Sequence, residues 1–215
     1  MKQIIAHCPL CTNDKNLLAT RSINKRDFFL CPVCYLIFVD EKYLIAANDE
    51  KVRYEAHENG IEQAGYVDFL NKAIQPGLKY LKTGMEGLDF GCGPAPTLSI
   101  LLERENIKCL NYDPFFFSEM PKGKFDFVYA TECFEHFYCP KKEIETIANM
   151  LLPGGYLIIM TYLWDNSENF PSWHYTNDIT HVVFYHQKTI DFIASEFGFE
   201  LLEIINNRVI IFRKT

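Results

Sequence analysis

The chain has 215 residues, of which 48% are hydrophobic and 23% are charged, and this composition fits one main globular domain with a small additional module. A net charge of −7 argues against wide binding to a nucleic acid backbone, which favours basic surfaces. No apolar run approaches the roughly 20 residues that span a bilayer, and the N-terminus has no signal-peptide pattern. We therefore expect a cytoplasmic protein without a membrane partner, for which nucleic acid is an unfavoured partner.

Four of the eight cysteines form two CxxC pairs near the N-terminus. Cys8 and Cys11 stand in CPLC, Cys31 and Cys34 stand in CPVC, and 19 residues separate the pairs. In a reducing compartment this spacing indicates a four-thiolate zinc site, which supplies about 10 to 16 kcal/mol to a segment too small for its own core. The segments RDFFLC and CYLIFVD around the second pair are typical of two short strands. The prediction is a zinc ribbon over residues 1–45 with structural zinc.

The two CxxC pairs depart from the common pattern at one position each. Thr12 and Tyr35 stand where glycine often follows the second cysteine of a zinc knuckle. Regular knuckle geometry therefore needs support from the structure. The remaining cysteines lack paired spacing and are interpreted as buried or incidental thiols: Cys92, Cys109, Cys133 and Cys139.

Residues 46–82 are predicted to be a helical connector, because apolar residues recur at helical spacing until Pro76-Gly77 interrupts the pattern. From residue 83 to residue 215 the pattern becomes strand, glycine turn, helix and strand, which indicates a largely parallel α/β sheet. The last two predicted strands flank a turn at Asn206-Asn207. These features define a third segment that is long enough for a complete domain.

A glycine turn and an acidic residue follow the first two strands of this domain. Gly91 and Gly93 in LDFGCGPAP stand between a strand and a helix, where backbone amides approach a ligand closely. Pro96 stands where the dinucleotide fingerprint has its third glycine, and no phosphate-loop Gly-Lys-Ser or Gly-Lys-Thr is present. The next strand ends at Asp113, whose carboxylate is placed to accept hydrogen bonds from ribose hydroxyls.

The segments LDFGCG, NYDP, ATECFEHF and LLPGGYLIIMT occur in an order that resembles class I S-adenosylmethionine-dependent methyltransferases over roughly residues 60–215. DPFF, EHF and WHYTNDITHVVFY are similar to a bacterial branch of that family. The resemblance implies a Rossmann-like doubly wound sheet with an antiparallel last strand and S-adenosylmethionine as the cofactor. It also implies a set of cofactor-site residues: Asp89, Gly91 and Gly93 around the methionine part, Asp113 with Pro114 and Phe115 at the nucleoside, and Thr131 and Glu132 after the fourth strand.

One segment departs from the family pattern. Only 11 residues, 114–124, separate Asp113 from the following strand, which is too short for a βα unit with its closing strand. We therefore expect the sheet to be abbreviated after its second strand. Phe115, Phe116 and Phe117 either cover the adenine as an aromatic wall or fill the gap as core residues, and the sequence leaves both readings open.

The candidate catalytic residues cluster in WHYTNDITHVVFYH. Methyl transfer is an in-line displacement on an activated sulfonium, so positioning dominates and can contribute about 7 to 11 kcal/mol. His181 or His174 is a candidate base that Asp178 could orient, and His136 in FEHF is a further candidate. A metal site of His174, Asp178 and His181 is a competing interpretation.

The leading functional hypothesis is transfer of a methyl group to a small hydroxylated or amine acceptor. An alternative is an RNA or protein methyltransferase that docks its substrate on the zinc ribbon. A further alternative is a protein that binds S-adenosylmethionine without catalysis, which is supported by the shortened segment after Asp113. The sequence leaves the acceptor and the oligomeric state open.

Overall fold

The structure is a computed structural model that describes residues 7–56 and 59–215. Residues 1–6 of the predicted ribbon and residues 57–58 of the predicted connector lie outside the described residues. The strands and helices follow in chain order: β1 Leu18–Arg21, β2 Asp27–Leu30, β3 Ile37–Val39, α1 Ala47–Glu55, α2 Ala64–Leu78, β4 Glu86–Phe90, α3 Thr97–Arg104, β5 Lys108–Tyr112, β6 Phe125–Thr131, α4 Pro140–Met150, β7 Leu151–Met160, β8 Leu163–Trp164, β9 Val183–His186, α5 Gln187–Phe197, β10 Phe199–Ile205 and β11 Val209–Lys214.

The larger of two sheets has six strands in the order β10-β11-β7-β6-β4-β5. Strands β5, β4, β6 and β7 are parallel, whereas β11 and β10 run antiparallel to their neighbours. Strands β6 and β7 lie at the centre of the sheet and are largely buried, as parallel strands covered on both faces are. The Rossmann-like sheet with antiparallel final strands is thereby confirmed.

Strand β5 is the edge of this sheet, and the segment that follows it forms no strand. Within that segment Asp113 and Phe117 form a single isolated bridge. The abbreviation expected after the second strand is therefore present. The loss of one βα unit leaves the end of β5 next to a tight turn.

The smaller sheet joins the cysteine-containing segment to distant parts of the chain, which the sequence does not predict. Its five strands have the order β1-β2-β3-β9-β8, so β9 pairs antiparallel with β3 although it lies far along the chain. Phe28 of β2 contacts Phe170 and Phe184 with ring centroids 5.3 and 5.7 Å apart. The ribbon segment and the large domain thus share one continuous core.

The predicted interruption at Pro76-Gly77 is wrong, because α2 continues through both residues to Leu78. A Cβ atom on Gly77 would lie 2.0 Å from the hydroxyl of the fully buried Tyr129 in β6. Glycine at this position therefore lets α2 approach the sheet closely. Helix α2 ends immediately after this contact. No helix among the described ranges is long and apolar enough to cross a bilayer.

Candidate functional site

The glycine loop after β4 has a backbone conformation that glycine favours. Gly91 and Gly93 have φ values of +81° and +68°. A Cβ atom on Gly91 would also lie 2.7 Å from Cβ of Cys133. The amides of Gly91 and Cys92 donate to the Tyr112 carbonyl over 2.8 and 3.1 Å, which ties the loop to the end of β5. The loop is thereby held at the carboxyl ends of the parallel strands, where doubly wound sheets bind ligands.

Asp113 connects the glycine loop to the turn that follows β5. Its Oδ2 accepts a hydrogen bond from the Gly93 amide at 3.0 Å. Its Oδ1 accepts from the amides of Phe115 and Phe116 at 2.8 and 3.2 Å. Because each carboxylate oxygen can accept two hydrogen bonds, Oδ2 retains capacity for a ligand hydroxyl.

Asp89, in β4, is the most unusual carboxylate at this end of the sheet. Its side chain is 2% exposed, and Oδ1 has no hydrogen-bond partner among the described residues. Burial, with a further contribution from Asp113, raises the pKa of Asp89 to about 7. A buried carboxylate without a partner is costly unless a cation approaches it. Asp89 therefore fits a ligand that brings positive charge to the glycine loop.

A cavity of about 610 Å³ opens in front of the glycine loop. This volume lies within the usual range for small-molecule sites. Most of the residues predicted for the cofactor and for catalysis line it: Gly91, Gly93, Asp113, Pro114, Phe115, Thr131, Glu132, His136, Asp178 and His181. Phe115 lies on the cavity wall with its ring centroid 5.9 Å from that of Tyr54 in α1, and neither it nor its two phenylalanine neighbours is fully buried.

Glu132 follows β6 with a φ value of +50°. Its carboxylate forms an ion pair with Arg208 at 3.0 Å. Burial and Glu135 raise the pKa of Glu132 to about 8, although Arg208 opposes the shift. Glu132 thus places a carboxyl group with a raised pKa, paired with Arg208, on the cavity wall beside the end of β6.

His136 and His181 both line the cavity, and their ring centroids are 4.9 Å apart. Nδ1 of His136 lies 3.0 Å from the Thr180 carbonyl, and Nδ1 of His181 lies 2.8 Å from the Tyr175 carbonyl. A carbonyl only accepts, so each Nδ1 is the protonated nitrogen and each Nε2 keeps its lone pair in the neutral ring. Burial lowers the pKa of His181, against the influence of Glu135, and so favours its neutral form.

Glu135 is a third member of this group that the sequence analysis did not single out. Its side chain is fully buried, and Oε1 accepts a hydrogen bond from the Tyr175 hydroxyl. Its Oε2 has no hydrogen-bond partner within the described part of the chain. The signal that could have identified Glu135 is its position beside His136 in FEHF.

The other two predicted catalytic residues have different surroundings. Oδ1 of Asp178 accepts from the amide and the hydroxyl of Thr180 at 2.9 and 2.7 Å, so these hydrogen bonds shape the loop, and a role of Asp178 in orienting a histidine stays a prediction. Although burial opposes the shift, these hydrogen bonds hold the pKa of Asp178 below its usual range. His174 is exposed and lies outside the cavity, in a separate surface depression beside Tyr162 and Trp173.

Arg26, in the hairpin turn between β1 and β2, holds the loop that precedes β9 and contains His174 and His181. The Arg26 side chain is 5% exposed, and its guanidinium donates to four loop carbonyls. The two shorter bonds reach Asp178 at 2.8 Å and His181 at 2.9 Å, and the two longer ones reach Thr176 at 3.3 Å and Ile179 at 3.4 Å. The cysteine-containing segment therefore positions one wall of the cavity.

The four predicted metal ligands of that segment form one cluster. The Sγ atoms of Cys8, Cys11, Cys31 and Cys34 all lie within 4.8 Å of one another. The backbone amide that follows each pair donates a hydrogen bond to the carbonyl of the first cysteine in that pair. The bond from Thr12 to Cys8 is 2.9 Å long, and the bond from Tyr35 to Cys31 is 3.0 Å long.

Thr12 and Tyr35 adopt φ values of +63° and +58°, the conformation that glycine usually supplies in a knuckle. Knuckle geometry is thus retained without glycine. The four-cysteine cluster is consistent with a zinc site.

Comparison with known proteins gives one family match and many structural matches. The model of a methyltransferase domain family matches residues 61–204. A 1,6-didemethyltoxoflavin-N1-methyltransferase from Burkholderia thailandensis is similar in fold, with a TM-score of 0.53 and 14% identity over 92% of this chain and 99% of that one. A magnesium protoporphyrin IX methyltransferase from Synechocystis has a TM-score of 0.51 and 15% identity over 81% of this chain and 94% of that one. No curated protein matches the chain.

The family match covers more than half of the chain, and it contains the glycine loop, Asp113, the His136 segment and the loop before β9. S-adenosylmethionine has a cationic sulfonium and an ammonium group, which suit the unpaired Oδ1 of Asp89, although Asp89 itself is not among the residues that line the cavity. The chain belongs to the methyltransferase domain family and is an S-adenosylmethionine-dependent methyltransferase.

Proposed function

We propose that the protein transfers a methyl group from S-adenosylmethionine to a hydroxyl or amine of a small acceptor. The observation that carries this proposal is the pair His136 and His181, which line the same cavity as the glycine loop and whose Nδ1–H hydrogen bonds leave Nε2 unprotonated. The cavity, at about 610 Å³, has the size of a small-molecule site. The structurally similar Burkholderia thailandensis enzyme binds 1,6-didemethyltoxoflavin, which is also a small molecule.

On the cofactor side, Asp113 accepts hydrogen bonds from the ribose hydroxyls, with Pro114 and Phe115 beside the nucleoside. Gly91 and Gly93 leave space for the methionine part, and Asp89 balances its positive charge. When bound, S-adenosylmethionine supplies a methyl group on a sulfonium that is already a good leaving group. Thr131 and Glu132 complete this side of the cavity.

On the acceptor side, a neutral imidazole removes the proton of the acceptor. S-adenosylmethionine held beside Gly91, Gly93 and Asp113 would supply the methyl group, and the acceptor oxygen or nitrogen would bond to the methyl carbon as the carbon–sulfur bond breaks with its electron pair left on sulfur. The proton moves to Nε2 of His181 or His136 and then to solvent. Burial keeps His181 neutral and therefore able to accept it.

We also propose that Cys8, Cys11, Cys31 and Cys34 bind one structural zinc ion. The closeness of the four Sγ atoms and the two knuckle turns support this assignment. Metal analysis of the purified chain tests it, with one zinc per chain as the expected result. The segment boundaries 1–45, 46–82 and 83–215 stay a prediction.

Calorimetry with S-adenosylmethionine tests the cofactor assignment. Asp113→Ala is expected to weaken binding about 10- to 100-fold, since it removes charge-assisted hydrogen bonds of about 1.5 to 3 kcal/mol. Asp191→Ala, on the exposed face of α5, is the matched control and should leave affinity unchanged. Equal affinities in the two variants would refute the assignment of Asp113.

Formation of S-adenosylhomocysteine with a panel of small hydroxylated and amine compounds tests the acceptor class. His181→Gln should lower turnover while leaving cofactor affinity unchanged. Turnover that requires RNA or a protein substrate, with none on small molecules, would replace the proposal with macromolecule methylation. Cofactor binding without turnover on any of these substrates would favour the non-catalytic alternative.

A further inference from the structure

Three side chains form a cluster of potential metal ligands on the proposed acceptor wall of the cavity, which consists of the turn after β6 and the loop before β9, held by Arg26. Glu135, His136 and His181 each place one donor atom within 4.8 Å of the donor atoms of the other two. Glu135 and His136 belong to a short 3-10 turn after β6, and His181 ends the loop that precedes β9. This cluster differs from the metal interpretation of His174, Asp178 and His181, because His174 lies outside the cavity.

The backbone fixes both imidazoles in the form that metal ligands need. Each Nδ1–H donates to a carbonyl, from His136 to Thr180 and from His181 to Tyr175, so each Nε2 presents a lone pair. Ligating histidines usually have this second hydrogen bond, which sets the tautomer and the ring orientation. Tyr175 contributes twice, since its hydroxyl also donates to Oε1 of Glu135.

The buried carboxylate of Glu135 lacks a partner for one oxygen. Its side chain is fully buried, and Oε2 has no hydrogen-bond partner among residues 7–56 and 59–215. An unpaired buried carboxylate oxygen is costly, and a cation bound beside it removes that cost. The orphaned oxygen is therefore an observation independent of the histidine geometry, and it indicates a positively charged ligand.

We propose that Glu135, His136 and His181 bind a divalent first-row transition-metal cation. Two imidazoles and one carboxylate are a donor set that suits such ions, and two imidazoles favour them over magnesium or calcium. Three protein ligands leave coordination positions open toward the cavity. An acceptor with oxygen donors, such as neighbouring hydroxyl groups, fits these positions.

This site rests on the proposed function and changes how the acceptor is activated. With the cation bound, the Nε2 lone pairs hold the metal instead of taking the proton. A cation lowers the pKa of a hydroxyl that binds to it, so the hydroxyl loses its proton to water at neutral pH. The resulting oxygen then forms the bond to the methyl carbon while the carbon–sulfur bond breaks.

Manganese titration of the full chain loaded with only one equivalent of zinc, which the four thiolates of the cysteine cluster take first, tests the site, with free Mn²⁺ followed by electron paramagnetic resonance. Mn²⁺ is the weakest competitor for thiolates in the divalent series, so the cysteine cluster retains zinc. We expect saturable binding of one Mn²⁺ per chain. Glu135→Gln and His181→Gln should each weaken it at least 10-fold, whereas Glu103→Gln and His174→Gln, both on the exposed surface, should not change it.

Absence of saturable binding, or binding that is equal in all four variants, would overturn the proposal. Because Glu135→Gln changes a buried residue, a measurement on the unaltered protein is also decisive. Pulsed electron paramagnetic resonance should detect coupling of bound Mn²⁺ to imidazole nitrogen, and a spectrum without this coupling would overturn the assignment. Calorimetry with S-adenosylmethionine on the same samples separates the two proposals, since cofactor binding without Mn²⁺ binding refutes only the metal site.

Discussion

The two walls of the cavity differ in how the chain forms them. The cofactor wall consists of the glycine loop and Asp113, which are close in sequence and are joined by backbone hydrogen bonds. The acceptor wall combines the turn after β6, the loop before β9 and Arg26, which is 150 residues or more from the carbonyls that it binds. We infer that the cofactor wall tolerates changes in the N-terminal segment, whereas the acceptor wall depends on that segment.

Removal of zinc from the proposed cysteine site should have the largest effect. A structural zinc contributes about 10 to 16 kcal/mol, which is comparable to the whole stability of a domain. A chelator should therefore unfold β1 to β3 and release the acceptor loop, with loss of turnover. Hydrogen exchange checks this prediction, and protection in the β4–β5 region should persist. Equal loss of protection in the β1–β3 region and in the β4–β5 region would show that the cofactor wall depends on zinc as much as the acceptor wall does.

Substitution of Arg26 should impair the acceptor wall and leave the cofactor wall intact, with the proposed zinc still bound. Arg26→Met leaves four buried or partly buried carbonyls without their donor, at a cost of about 3 kcal/mol in the free energy of unfolding. Turnover should fall while S-adenosylmethionine affinity stays constant. Arg21→Met in the same hairpin removes an exposed ion pair with Asp27 and should cost less than about 1 kcal/mol. Denaturant unfolding and calorimetry measure both variants.

Asp89→Asn should affect the cofactor wall alone, and its effect on stability should depend on pH. The folded protein raises the pKa of Asp89 from 3.8 to about 7, so the folded state holds the proton more tightly than the unfolded state. The free energy of unfolding of the unliganded protein therefore falls as pH rises from about 4 to 7, by up to about 1.4 kcal/mol per pH unit.

The Asn variant should lack this decline, which makes it more stable than the unaltered protein at pH 8 and weaker in cofactor binding. Unfolding curves at pH 5 and pH 8 provide the measurement. A stability difference between the two proteins that is the same at both pH values would contradict the assignment of the shift to Asp89.

Thr12→Gly should give the smallest change, within the cysteine segment. Thr12 is exposed and has a φ value of +63°, a conformation that costs a β-branched residue more than glycine. We expect the zinc-loaded protein to gain about 0.5 to 1 kcal/mol, visible as a higher melting temperature. Thr20→Gly, in the extended strand β1, is the control and should lower it.

Sequence patterns predicted the residues of the proposed cofactor wall, because they are local in the chain. The glycine loop, Asp113 and the short segment after it are all visible as spacings along the chain, and so are the two cysteine pairs. The acceptor wall was only partly predictable, since its geometry depends on long-range contacts. Nothing in the sequence near His181 indicates that Arg26 holds its loop, or that Glu135 completes its surroundings.

Long-range contacts also explain where the observed secondary structure differs from the predicted one. Strand β9 was not predicted, because its pairing with β3 is decided by residues far away in sequence. The helix through Pro76 continues because Gly77 packs against Tyr129, which is a tertiary contact. Asn206 and Asn207, in contrast, form the expected turn with φ values of +50° and +55°, a conformation that asparagine tolerates by itself.

The pairing of β3 with β9 also orders events during synthesis. The cysteine segment is made before β9, so the edge of β3 opposite β2 has no partner until residues 183–186 have been made. Contacts of such high sequence separation form slowly. The N-terminal hairpins therefore exist for most of translation with an open β3 edge and an uncovered Phe28, because Phe170 and Phe184, which contact Phe28, are made late as well.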